Sequence, residues 1–286
     1  MFSLLLRSLA LLPLGVLHAL GAVAGWLAYL ASPRYRRRLR ENLRRSGLCP
    51  DGGGGRRLLR RAVAEAGKSV LELPAIWFRS HAAVLALLKE RHGWEHIEAA
   101  HAAGKGIIFL TPHMGCFEIT SLAYAEHHPI AILYRPPKLR WLEPLLQSGR
   151  ARGHASLAPA DLSGVRALLK ALKKGEAAGI LPDQVPGAGE GVWAPFFGRQ
   201  AYTMTLAARL AQIRGVSVLM AFGERLPWGR GYRLWVEPCL ADLSGEPAEA
   251  AAALNREIER IVARKPEQYL WSYNRYKTPR GAEPPP

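Results

Sequence analysis

Residues 106–118, GIIFLTPHMGCFE, hold the residue types best suited to acid–base chemistry in this chain of 286 residues. An apolar run from Ile107 to Leu110 reads as a buried strand; Thr111-Pro112 ends it and delivers His113, with Glu118 five positions later. A histidine just past a strand is how an α/β enzyme presents a general base at the carboxyl edge of its sheet. Positions five apart on one continuous helix lie about 140° apart and share no face. The reading therefore places His113 in a turn and starts the helix near Gly115. Glu118 then converges on the imidazole, fixes its tautomer and favours its protonated form. Taken alone, the pair also suits a surface histidine near a helix start, one of nine in the chain.

Cys116 lies three residues from His113. A thiol near an imidazole can become a nucleophilic thiolate, yet beside Phe117 it reads equally as a small packed hydrophobe. The three cysteines, Cys49, Cys116 and Cys239, show no metal spacing and fit a reducing compartment. His127 and His128 are adjacent and lack a nearby Cys or His partner, so no metal site is expected. A phosphate-cradling glycine loop and the Gly-x-Ser-x-Gly elbow are both missing from the sequence. No cofactor is expected.

Positioning these groups requires a framework, and the pattern supplies one. Residues 57–90 read as helical with a break at Pro74. Strands follow at 106–111, 130–135, 155–158, 177–182 and 216–223, then YRLWVEP ending at Pro238. Helices at 115–126, 139–149, 163–174, 203–214 and 247–264 alternate with them. The alternation predicts an α/β fold, a mixed and mostly parallel sheet flanked by helices. VWAPFFG reads as a loop whose aromatic side chains line an apolar groove.

Residues 8–31 form an apolar stretch long enough to cross a bilayer, roughly 36 Å as a helix. His18 is its only ionisable side chain, and seven arginines between Arg34 and Arg45 follow, offset by Glu41. Such a cluster stays cytoplasmic. A helix lying in the membrane interface and a cleaved signal at Ala22-Val23-Ala24 are the competing readings. The expected domains are an N-terminal membrane-anchoring helix (1–31), a basic linker (32–56) containing the flexible DGGGG, a catalytic domain (57–280) and a tail (281–286). The net charge of +16 favours phosphate-rich or acidic partners: nucleic acid, an anionic membrane or an acidic carrier protein.

HMGCFE (113–118), YRPPK (134–138), GRARG (149–153), DLSGVRALLKALKKGE (161–176), ILPDQ (180–184), VWAPFFG (192–198) and PEQYLWSYNRYK (266–277) occur in that order. Over about residues 34–277 the sequence resembles the bacterial lipid A biosynthesis acyltransferases, within the lysophospholipid acyltransferase superfamily. Members often carry Asn-Trp where this chain has Cys116 and Phe117. The resemblance implies an enzyme of the bacterial inner membrane whose catalytic domain faces the cytoplasm. It would transfer a fatty acyl chain from acyl carrier protein to a hydroxyl of a lipid A precursor, with no nucleic acid involved.

The same resemblance implies roles for several residues. His113 would be the general base and Glu118 its orienting partner, in direct transfer without an acyl-enzyme. Arg150 would bind phosphate or the oxyanion, whereas Arg152 reads as a solvated helix-end residue. Asp183 would organise the site, through a bond to Arg150, although a lone Asp there also suits a turn or helix cap. Arg135 would reach the same edge or form a structural ion pair. Gln184, Asn274 and Arg275 match the motifs without an assigned step. A glycolipid such as mannosylated phosphatidylinositol is the rival acceptor. A thioesterase or lipase using water and a non-enzymatic basic protein are the rival functions.

Overall fold

The computed structural model describes residues 2–49, 52–137 and 139–286. Lys138 of the YRPPK motif and Asp51 of the expected flexible linker lie outside the described residues.

The N-terminal third is helical: α1 (Phe2–Leu11), α2 (Leu14–Ala31), α3 (Pro33–Arg45), α4 (Gly53–Leu71), α5 (Leu73–Phe78) and α6 (His81–Leu85). Ser32 caps α3 by accepting from the Tyr35 N–H, and Pro33 sits at its first turn, where no N–H is missed. Residues 53–55, expected to be part of a flexible connection, instead form the first turn of α4.

The sheet region runs β1 (Leu88–His92), α7 (Trp94–Ala102), β2 (Ile107–Leu110), α8 (Glu118–Tyr124), β3 (Ile130–Tyr134), α9 (Glu143–Arg150), β4 (Ala155–Pro159), α10 (Leu162–Lys173) and β5 (Ala177–Ile180). A hairpin, β6 (Gly191–Phe196) and β7 (Arg199–Met204), is followed by α11 (Leu206–Ala211), β8 (Ser217–Arg225), β9 (Tyr232–Pro238) and α12 (Pro247–Arg264). Seven strands form one sheet in the order β1-β9-β8-β2-β5-β3-β4, parallel throughout except between β8 and β9. This is the mixed, mostly parallel sheet that the alternation predicts.

Further stretches differ from the expectation. Residues 203–204 close the hairpin rather than open a helix, and Leu88–His92 is an added edge strand. VWAPFFG is likewise part of the hairpin. Phe196 is fully buried against Phe197, Tyr269 and Tyr276, so it belongs to the core and not to a groove.

Alternate residues of β2 serve opposite faces, as the strand's twofold period requires. Ile108 and Leu110 join a core with Leu168, Ile180, Phe222 and the α12 residues Leu254 and Ile258. Ile107 and Phe109 join the other with Ile97, Tyr124, Ile130 and Leu234. The central strands β2 and β5 are buried at every residue. Their carboxyl ends are therefore rigid platforms.

Helix α2 is long and apolar enough to cross a membrane, and one face of it packs on α4. Added Cβ atoms would lie 2.4 Å from the Val63 carbonyl oxygen at Gly25 and 1.9 Å from the Gly21 carbonyl oxygen at Gly67. Only glycine permits this backbone contact. Beneath the seam, buried Glu72 accepts from Arg225 (Nε at 2.8 Å, Nη2 at 2.7 Å) and Tyr232 (2.9 Å), and meets His18 of α2 at 3.1 Å. Burial opposes ionisation of Glu72, but Arg225 and His18 outweigh it and bring its pKa to about 2.

Candidate active site

Strand register builds the site. Leu110 of β2 and Ile180 of β5 are paired neighbours at the ends of their strands. Each chain then runs through a proline, Thr111-Pro112 on one side and Leu181-Pro182 on the other, to the third residue beyond: His113 and Asp183. The Thr111 N–H still donates to the Ile180 carbonyl at 2.9 Å, carrying the parallel alignment past the strand ends.

His113 and Asp183 meet twice. The His113 backbone N–H donates to Asp183 Oδ2 at 2.9 Å, and Nδ1 lies 2.7 Å from Oδ1. This contact makes Nδ1 the protonated nitrogen of the neutral ring and leaves Nε2 as its acceptor. Nε2 faces the Gln184 side-chain amide at 3.0 Å. Asp183 is 2% exposed. Burial pushes its carboxyl up, but the charge and hydrogen bonds of His113, with Arg275 behind them, hold it below the ordinary range. Burial and the nearby Asp183 charge push the Tyr269 hydroxyl well above its ordinary range.

The turn carrying His113 is clamped from behind. Gly115 takes φ +55°, and a Cβ there would stand 2.0 Å from the Gly223 carbonyl oxygen. Its N–H donates to the Gln268 carbonyl (3.0 Å), the Cys116 N–H donates to Gly223 (2.8 Å), and the Leu270 N–H donates to His113 (3.1 Å). The ring of Phe117 packs on the imidazole with centroids 4.9 Å apart.

This clamp corrects the expected pairing. Residues 114–116 are held by β8 and the Gln268–Leu270 segment, so α8 begins at Glu118 and not near Gly115. From that first helical position Glu118 reaches Arg150 at the end of α9: Nε donates at 2.8 and 3.0 Å and Nη2 at 2.5 Å. Among the described residues Glu118 makes no side-chain hydrogen bond to His113, and Asp183 makes none to Arg150. The two acids have exchanged the partners expected of them. Burial alone lowers the Arg150 guanidinium, but Glu118 more than restores it, so Arg150 stays charged. Among the described residues its Nη1 makes no hydrogen bond.

His113, Arg150 and Gln184 line a cavity of about 690 Å³. Leu133, Leu146, Val165, Leu181, Val185 and Met204 make much of its wall, and Arg135 lies on its lining after the end of β3. Glu118 and Asp183 are absent from this lining; both stand behind the groups they hold.

Arg152 is half-buried and bonded to backbone rather than a solvated helix-end residue. Its guanidinium donates to the carbonyls of Gly149, Arg79 and Ile76, fastening the end of α9 to the helical layer. Cys116 is 1% exposed, and burial pushes its thiol well above the ordinary range, which makes it a packing residue. Arg275 is buried on Tyr202, Thr203 and Asn255. Tyr269 and Gln184 were present in the quoted motifs, but nothing local in the sequence marks either as a neighbour of the His113–Asp183 pair. The parallel strings LTPH and ILPD are the one sequence signal for the pair itself: two apolar strands, each ending one proline before a polar residue.

Comparison with known proteins identifies the family. The family model described as bacterial lipid A biosynthesis acyltransferase matches residues 1–278. The chain is 30% identical to the lipid A biosynthesis lauroyltransferase of Escherichia coli over 275 residues, covering 93% of this chain and 87% of that protein. It is 28% identical to the lipid A biosynthesis palmitoleoyltransferase of the same organism over 213 residues, 74% of this chain and 69% of that protein. A lipid A biosynthesis acyltransferase of Haemophilus influenzae is 28% identical over 288 residues, 95% of this chain and 88% of that protein. The chain belongs to the bacterial lipid A biosynthesis acyltransferase family and is an O-acyltransferase.

Proposed function

We propose that this protein moves a fatty acyl chain from acyl carrier protein to a hydroxyl of a lipid A precursor, directly, in a ternary complex. The observation carrying this reading is the His113 ring, held through Nδ1 by buried Asp183, with Nε2 at an apolar cavity. In the proposed step the acceptor hydroxyl oxygen attacks the thioester carbonyl while its proton passes to Nε2. Asp183 stabilises the resulting imidazolium. The tetrahedral intermediate then expels the thiolate, which takes the proton back from His113. A positioned base contributes on the order of 10²- to 10⁴-fold. Arg150, kept charged and oriented by Glu118, offers its free Nη1 to the oxyanion, and one such donor is worth roughly 10²- to 10³-fold. Glu118 thus supports the reaction through Arg150.

Helix α2 supports a seat at the membrane. Val16, Leu20, Val23, Leu27 and Leu30 are exposed on one face, while Leu17, His18, Gly21 and Gly25 face the domain. The middle of α2 touches α4, which carries Arg60, Arg61 and Lys68. Crossing a bilayer would carry those charges into hydrocarbon, at several kcal/mol each. In this reading α2 lies along the cytoplasmic leaflet of the inner membrane with its exposed stripe embedded, and the arginines of α3 meet the headgroups. Leu12→Cys and Ser32→Cys should both react with an impermeant maleimide in inverted vesicles and neither in spheroplasts; labelling of residue 12 from outside would refute the lateral seat.

The reaction is tested with detergent-purified protein, lauroyl- or myristoyl-loaded acyl carrier protein and a tetra-acylated lipid A precursor. Mass spectrometry should show one acyl group gained, and the gain lost in His113→Ala. Acceptor-independent release of fatty acid, with no gain on the lipid, would make the protein a thioesterase instead.

A further inference from the structure

The turn between β8 and β9, residues 226–231, carries a side chain that the chemistry described above does not use. Trp228 is 92% exposed, and its backbone takes φ +61° and ψ +23°. Any residue with a Cβ is disfavoured in this left-handed region, and an indole in water leaves a large apolar area unburied. The turn is nevertheless well restrained. The Leu226 N–H donates to the Gly231 carbonyl at 2.9 Å. A Cβ at Gly229 would stand 2.2 Å from Gly15 Cα of α2, and one at Gly231 would stand 2.1 Å from the Leu87 carbonyl oxygen. Clamped on both sides, the turn projects Trp228 outward.

The surroundings of the indole are apolar and basic. Gly15 lies on the flank of α2, between its buried row (Leu14, Leu17, Gly21) and its exposed row (Val16, Leu20, Val23). Leu11, at the end of α1, is also exposed. The first acidic residue of the chain is Glu41, and exposed Arg230 follows Trp228 by two positions. An indole at the margin of an apolar stripe, with cations and no acid around it, matches the headgroup level of an anionic bilayer.

We propose that Trp228 inserts into the same leaflet as α2, as a second membrane contact that fixes the catalytic edge of the sheet against the lipid surface. The insertion rests on the lateral seat of α2 proposed above. A single helix lying in a leaflet leaves its domain free to roll about the helix axis, and a contact to one side of that axis stops the roll. β8 runs parallel to β2, so the turn after it leaves the sheet at the edge where His113 stands. The link between them is short. The Gln268 side chain accepts from the Arg225 N–H (2.8 Å) and donates to the Arg225 carbonyl (2.9 Å), while the Gln268 carbonyl accepts from the Gly115 N–H. Holding Trp228 in lipid therefore holds the mouth of the His113 cavity.

Fluorine NMR of the full-length protein, labelled with fluorotryptophan and placed in nanodiscs of phosphatidylethanolamine and phosphatidylglycerol, tests the contact without requiring turnover. The Trp228 resonance is the one missing from Trp228→Phe. Nitroxide-bearing lipid should broaden it several-fold, and a water-soluble gadolinium chelate should leave it sharp. Broadening by the chelate alone overturns the proposal, and so does protection from both probes, the mark of a second protein copy covering the indole. Trp228→Gly supplies the second readout. It relieves the left-handed backbone, so Tm in detergent should hold or rise. Acyl transfer should fall several-fold in nanodiscs and stay unchanged in detergent micelles. Unchanged transfer in nanodiscs, or equal losses in both media with a lower Tm, overturns the orienting role. If the unaltered protein acylates no lipid, the functional reading fails, while the Trp228 resonance still decides the contact.

Discussion

Two histidine–carboxylate pairs in this protein have nearly the same parts list and opposite fates. At the sheet edge, His113 meets Asp183 at 2.7 Å with Arg150 nearby; beneath the anchor helix, His18 meets Glu72 at 3.1 Å with Arg225 on the same carboxylate. In both pairs the acid is buried and held below its ordinary pKa by the cations around it. Access makes the difference. His113 lines the cavity, whereas His18 is 4% exposed, with Tyr232 edge-on to its ring and bonded to Glu72. A histidine with an acid beside it is thus no sign of catalysis by itself. It becomes one when the far nitrogen opens onto space a substrate can fill.

The sharpest way to break the comparison is to remove each imidazole. His113→Ala should lower single-turnover acyl transfer per folded molecule by on the order of 10²- to 10⁴-fold, and also lower Tm because buried Asp183 loses its partner. His18→Leu should lower Tm alone, reflecting a lost hydrogen bond to a charged group worth roughly 1.5–3 kcal/mol, with transfer per folded molecule within a few-fold of normal. Equal losses of activity from both would erase the distinction. Asp183→Asn removes the partner of Nδ1, which in the proposed step stabilises the imidazolium. Transfer should fall roughly 10³- to 10⁴-fold, comparable with other imidazoles that lose such an acid; rapid-quench measurement of the acylated lipid gives the rate.

The buried pair is tested by pH. The Glu72 carboxyl drops from an ordinary 4.5 to about 2 on folding. Its contribution is therefore complete above pH 4.5 and is lost as the pH falls through 2, amounting to about 3 kcal/mol by linkage. Glu72→Gln should lower Tm at neutral pH and lose the part of the acid sensitivity that falls between pH 4.5 and 2. Calorimetric scans that show equal acid slopes for both proteins would contradict this. The smallest effect belongs to Cys116→Ala, which should leave turnover unchanged and cost about 1 kcal/mol of stability for a shortened buried side chain. A large loss of turnover there would reopen the thiol as a nucleophile.

Much of this was legible in the sequence, and the failures have physical causes. The apolar runs and the prolines after them mark the strand ends at which His113 and Asp183 stand. Which acid serves the imidazole was not legible, because it depends on strand order. β5 is the immediate neighbour of β2 although sixty-odd residues follow in between. Local spacing favoured Glu118, but backbone bonds to Gly223 and Gln268 hold the turn and delay the helix, and those partners lie over a hundred residues away. The aromatic hairpin was hidden for a related reason: Pro195 and Gly198 read as loop residues, yet Pro195 occupies a two-stranded ribbon that β6 shares with β7 alone. The His18–Glu72–Arg225 network joins three remote segments and leaves no local pattern.

The central claim is that Asp183, not Glu118, holds the His113 imidazole, and NMR of the ring proton tests it most directly. With ¹⁵N-labelled histidine, the unaltered protein should show a low-field His113 Nδ1–H resonance protected from solvent exchange. That resonance should disappear in Asp183→Asn and persist in Glu118→Gln. Its persistence in Asp183→Asn together with its loss in Glu118→Gln would contradict the assignment and restore the pairing that local spacing suggested.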